Sequence, residues 1–251
     1  MYKRQVHVRR LRFQLRLAIQ DPPGQPAALL RVQGRQHHEQ PATIKGTCLE
    51  NYKNIFDLYI TDSTTEPSQL SSKTGDDANS EFALGEAAFY QNGTWAWTNL
   101  QNAGMTAEQV GMMPIYIGDP DEQDEGLATG SENYWCINSE ADQKATAEFL
   151  KWVITSDTGK EALSTEMGFT TPFKTFDDIK TDNPLVAAAV ADQKSGKTQV
   201  SWNFTMMPSE QWKNDLGNAL LEYAQGTQSW DAVKTAFVDG WAKEYSAAHA
   251  S

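Results

Sequence analysis

Apolar positions recur at helical spacing through much of the chain. In "GTCLENYKNIFDLYI" (46–60), Leu49, Tyr52, Ile55, Phe56 and Tyr59 mark one face of a helix. A polar loop with Pro67, Ser71 and Ser72 follows, then "DDANSEFALG" (76–85), a helix stopped by Gly85. "EAAFYQ" is expected to be a short strand, and "GTWAWTNL" to open the next helix. "GMMPIYIG" (111–118) and "YWCIN" (134–138) read as further strands. In 141–155, Ala145, Phe149, Trp152 and Val153 fall at i, i+4, i+7 and i+8. Thr158 and Glu161 have capping-box spacing for a helix that Gly168 ends. "NPLVAAAVADQ" (183–193) is another helix. Ser209 caps 210–225, with Trp212, Leu216, Leu220 and Tyr223 on one stripe. Ser229 caps 230–245, with Trp230, Val233, Phe237 and Trp241 likewise. Alternating strands and helices predict an α/β architecture.

Composition divides the chain sharply near residue 40. All the arginines (Arg4, Arg9, Arg10, Arg12, Arg16, Arg31, Arg35) and three of the four histidines lie before it, whereas every tryptophan lies beyond residue 90. Residues 1–40 carry +6 and residues 41–251 carry −18, within a net −12. The leader shows no sustained periodicity and is expected to stay disordered. Two readings of it stand: a basic nucleic-acid-binding arm, or a foreign leader unrelated to residues 41–251. The abrupt arginine cutoff favours the second. Arg10, Arg12 and Arg16 interrupt its apolar run, so it is not a secretory signal.

Missing residue types exclude several chemistries. From residue 41 to 248 there is neither histidine nor arginine. Ser-His-Asp and Cys-His catalysis have no base there, and a His-rich zinc site has no ligands. No phosphate loop or dinucleotide fingerprint occurs, and a body at −18 repels polyanions, so nucleic acid is not an expected partner. No cofactor is implied. "GDPDEQDEG" (118–126) lacks the glycine and glutamate spacing of a calcium loop and reads as a solvated loop. Cys48 and Cys136 have no CxxC partner and read as small buried hydrophobes, with a disulfide as the lesser alternative. Carboxylate chemistry, such as glycoside hydrolysis by two acids, stays open.

"FALGEAAFYQNGTWAWTNL", "VGMMPIYIG", "YWCIN", "KATAEFLKWVITSDTGKEALSTEMGFTTPF" and "MPSEQWKNDLGNALLEYAQG" occur in an order that resembles the extracellular solute-binding proteins of sugar ABC importers. The resemblance spans about residues 45–245. It implies a periplasmic-binding-protein-like α/β fold of the two-lobed type II kind, represented by its C-terminal part. Residues 41–138 and 200–251 would form the C-terminal lobe, and 139–199 would return to the N-terminal lobe. With most of that lobe absent, helices in 141–193 would expose the faces that pack on it. The implied function is non-catalytic: a monomer that binds a mono- or oligosaccharide and delivers it to ABC permease membrane subunits. Its place would be extracellular or periplasmic, with lipid anchoring an option for a longer form. The alternative is a carbohydrate-active enzyme using paired carboxylates, Glu132 among them.

Indole rings cover the C–H-rich face of a sugar, and a few polar groups meet its hydroxyls. Trp95, just after Gly93 at a strand-to-helix turn, matches a stacking position of the family, with core packing as the plain alternative. Trp212 matches a second such position, although its stripe with Leu216 and Leu220 also suits a core. Glu132, Asn133 and Trp135 in "TGSENYW" are candidate cleft residues, unless the segment is simply a capped surface loop. Asn133 can donate and accept at one hydroxyl. Trp97, Trp152, Trp202, Trp230 and Trp241 are expected in the core. No catalytic or metal-binding residue is proposed.

Overall fold

The structure, a computed structural model, describes residues 40–250 except 119–121, 123, 130–134, 168, 170, 172 and 202–205. Its main core is built from three helices. Helix α1 (Leu49–Thr61) buries Leu49, Tyr52 and Phe56, the stripe its spacing predicts. It meets α7 (Glu210–Ala224) and α8 (Trp230–Ala248), which pack on each other as a helical hairpin. Ser209 caps α7 through its side chain, which accepts from Trp212 N–H at 3.0 Å. Gly226, at φ +73°, lets the chain leave α7 in the left-handed conformation and turn into α8. Ser229 occupies the cap position of α8 but makes no side-chain cap bond. The N-terminal edge of the described chain is tied to this core, because Trp241 Nε1 donates to Pro41 O at 2.7 Å.

A second, smaller cluster gathers Ala96, Trp97, Leu100 and Leu185, with Phe82, Tyr90, Met105, Val110 and Met112 against it. Helix α2 (Gly75–Ala83) starts with a Thr74–Asp77 capping box and stops before Gly85 (φ +75°). A 3₁₀ turn, Thr94–Ala96, runs directly into α3 (Trp97–Asn102). Helix α6 (Pro184–Lys194), capped by Asn183, brings Leu185 onto Trp97 and Leu100. Trp97, Trp230 and Trp241 are buried, as expected of core residues.

The sheet is smaller than the sequence suggests. Strands β1 (Glu125–Thr129) and β2 (Thr198–Ser201) form a two-stranded parallel ladder, with Glu125 opposite Thr198 and Ala128 opposite Val200. The segments expected to be strands at 86–91, 111–118 and 135–138 carry no ladder among the described residues, apart from a single bridge at Ala87. Alternation makes such a segment suitable for pairing, but a strand exists only where a neighbour supplies the opposite hydrogen bonds. The described structure is therefore mostly helical.

Four further expectations change. Helix α4 (Gln143–Thr155), capped by Asp142, buries none of its residues; Phe149 is 59% and Trp152 49% exposed, stacked on each other at 6.0 Å. Trp152 is thus a surface residue, because among the described residues no element covers that face of α4. The next helix, α5 (Asp157–Glu161), begins two residues early: Ser156, not Thr158, is its cap and accepts from Gly159 N–H at 3.1 Å. Gly159 lies so close to the Val153 carbonyl that any Cβ would collide with it, which lets α5 fold straight back onto the end of α4. Gly168, its expected terminator, lies outside the described residues. The acidic loop is not wholly solvated either. Glu122 is buried, and its carboxylate accepts from Ile117 N–H at 2.9 Å and Gly118 N–H at 2.9 Å. Cys48 is half-buried, and Cys136 is exposed rather than buried.

Candidate functional site

The turn 92–97 is held by side-chain amides from both sides. Asn92 Oδ1 accepts from Gly93 N–H at 2.9 Å, and its Nδ2 donates to the Tyr90 hydroxyl at 2.6 Å. The Tyr90 hydroxyl in turn donates to Asn79 Oδ1 of α2 at 3.2 Å. From the other side Asn183 Nδ2 donates to Thr94 O at 3.0 Å, while its Oδ1 accepts from Leu185 N–H at 2.9 Å and Val186 N–H at 3.2 Å. One buried carboxamide therefore caps α6 and fixes the turn. Sequence reading finds Asn183–Pro184 as a helix start, since asparagine before proline is a recognisable N-terminal signal. It has no means of finding Thr94 as the second partner.

Gly93 explains how Trp95 sits. Its backbone is extended (φ −132°, ψ −175°), so any residue would suit the dihedrals. The side chain is what does not fit: a Cβ on Gly93 would run into the six-membered ring of Trp95. The indole folds back over the glycine and remains 44% exposed. Trp97, two residues on, is only 7% exposed and packs with Leu100 and Leu185. The two neighbouring tryptophans thus have opposite fates, one inward and one at the surface.

Gly93 and Ala96, on either side of Trp95, also line a cavity of about 540 Å³. Its walls come from 88–93, from 109–116, and from Ile55 and Tyr59 of α1. That volume is in the usual range for a small-molecule site. Phe89, Tyr90, Met112 and Met113 supply apolar and aromatic surface; Gln91, Asn92 and Gln109 supply amides. Among the described residues, no acidic or basic side chain lines it. Tyr116 closes one side, anchored by its hydroxyl donating to Glu125 O at 3.0 Å. Among the described residues no group of three or more His, Cys, Asp and Glu is arranged to hold a metal ion.

The other predicted residues fare differently. Trp212 is 1% exposed, with its Nε1 donating to Phe237 O at 3.0 Å. It packs edge-on against Trp241 at 5.1 Å. With its faces buried and its N–H satisfied internally, it is a core residue and no ligand platform. Trp135 is 52% exposed. Glu132 and Asn133 lie outside the described residues, as does Trp202.

Residues 49–193 match the profile of the bacterial extracellular solute-binding protein family, which covers more than half of the chain. The chain belongs to this family. Its members take a periplasmic-binding-protein-like fold, work outside the cytoplasm and are generally non-catalytic. In this solute-binding protein the matched region contains the Trp95 turn, the cavity beside it and Asn183.

Proposed function

We propose that this solute-binding protein takes up an uncharged mono- or oligosaccharide, stacks a pyranose face on Trp95, and hands it to an ABC permease. The observation that carries the reading is the Trp95 indole, laid over Gly93 with nearly half its surface open, beside a cavity that its neighbours Gly93 and Ala96 line and that no charged side chain among the described residues enters. Sugars have an apolar C–H face and hydroxyls that pair with amides, and Trp95 with Asn92, Gln91 and Gln109 offers that combination. Lack of a lining carboxylate in that cavity favours binding over hydrolysis, which needs two acids across the scissile bond. Trp135 is assigned as a second aromatic contact, with Glu132 and Asn133 as hydrogen-bonding partners. The protein acts as a monomer in this reading. A two-lobed type II arrangement, with 139–199 belonging to the opposite lobe from 41–138 and 200–251, remains part of the proposal.

The test is calorimetric titration of the protein with maltotriose, cellotriose and xylotriose, and with galacturonic acid and glucose 6-phosphate as charged controls. Saturable binding of a neutral saccharide, weakened about tenfold in Trp95→Ala and insensitive to salt, is expected. Preference for a charged solute, or sustained release of shorter sugars, overturns the reading.

A further inference from the structure

We infer that Asn183 is a positioning residue for Trp95: its carboxamide sets the angle at which the indole is presented, from an element far away in sequence. The inference rests on the reading of Trp95 as a sugar platform. The geometry behind it is specific. Asn183 is 4% exposed, so water does not substitute for its partners. Its oxygen end is spent on the first turn of α6, and its nitrogen end reaches Thr94 O, the residue immediately before Trp95. The two ends of one planar amide cannot be reoriented separately. Rotation of the Thr94 peptide, which would swing Trp95 off Gly93, therefore breaks a buried hydrogen bond or uncaps α6.

The opposite side of the turn is held by the Asn92–Tyr90–Asn79 relay, which reaches α2. The turn is thus clamped between two helices. Binding groups need such a supporting layer, because a side chain held loosely loses its orientation when a ligand arrives. Position 183 also suits this role because asparagine both accepts and donates. Aspartate caps a helix start equally well but has no donor for a carbonyl.

That asymmetry provides the experiment. Asn183→Asp keeps the cap on α6 and replaces the donor facing Thr94 O with a carboxylate oxygen. Asn183→Ala removes both functions and serves as the structural control. The protein is labelled with 5-fluorotryptophan, and the Trp95 resonance is assigned by its disappearance in Trp95→Phe. In Asn183→Asp the expected results are a shifted or broadened Trp95 resonance, a lower melting temperature from the buried carboxylate facing a carbonyl oxygen, and at least threefold weaker binding of the best trisaccharide. In Asn183→Ala the melting temperature falls as well. A Trp95 resonance identical to wild type in Asn183→Asp overturns the positioning role, whatever the sugar data show. A resonance that moves, together with Trp95→Ala binding every trisaccharide as wild type does, leaves Asn183 as the clamp of the turn and overturns the platform reading instead.

Discussion

Trp212 and Trp241 meet edge to face, 5.1 Å between ring centroids and 84° between planes, with both indole N–H groups donating to main-chain carbonyls. The pair joins α7 to α8 and, through Pro41 O, ties the start of the described chain to both. Trp212→Ala should therefore cost about 3–5 kcal/mol of stability, as for other fully buried large aromatics. Urea denaturation monitored by circular dichroism checks this. A loss under about 1 kcal/mol would mean the ring is not packed as described.

Gly93 and Trp95 should behave as a coupled pair. Gly93→Ala places a methyl group against the indole without straining the backbone, so it displaces Trp95 and weakens sugar binding about as much as Trp95→Ala, by roughly tenfold, or ~1.4 kcal/mol. In a Trp95→Ala background the same substitution should do nothing further. A double-mutant cycle on affinity measures the coupling. Additive losses would show that Gly93 serves some other contact.

Tyrosine burial makes stability fall in alkali. Burial raises the hydroxyl pKa of Tyr52 well above the ordinary range, and burial followed by its bond to Asp57 raises that of Tyr223. The Lys53 ammonium, bonded to Asp57 at 2.6 Å, is likewise shifted up. In each case folding favours the protonated form. Their contribution is complete below the unfolded-state values, near 10 for tyrosine, and is lost as pH rises through the higher folded-state values. Melting temperature should be nearly insensitive to this cluster between about pH 7 and 9 and drop beyond about pH 10. Tyr223→Phe should lower it at neutral pH, through the lost bond to Asp57, and shallow the alkaline decline. An equally steep decline in the variant would assign it elsewhere.

The face of α4 should be replaceable. Phe149 and Trp152 are exposed and touch mainly each other, so Phe149→Ser with Trp152→Ser should change stability by no more than about 0.5 kcal/mol. Binding of the dye ANS to the native protein should fall, since an exposed aromatic patch is what such dyes recognise. A large loss of stability would show that this face is covered in solution.

Capping offers the simplest check of the chain path. Ser156→Ala should cost about 1 kcal/mol, whereas Thr158→Ala, inside the first turn of α5, should cost a few tenths. Thermal denaturation of the two variants distinguishes the caps, and the reverse order would place the helix start at Thr158.

Helices were legible in the sequence because their determinants are local. The stripe Trp212–Leu216–Leu220, the cap Ser209 and the stop at Gly85 all lie within a few residues of what they control. Charge exclusion was legible for the same reason: a stretch without arginine or histidine lacks their chemistry however it folds. Tertiary structure decided what depends on partners distant in the chain. "GMMPIYIG" is an apolar run of strand length, but pairing requires a neighbour. Phe149 and Trp152 have the spacing of a buried stripe, yet burial requires something above them. Trp95 and Trp212 were both candidates in sequence. Phe237 O and the ring of Trp241 took Trp212 into the core, while Gly93 and Asn183, one beside Trp95 in sequence and one far from it, left Trp95 at the surface.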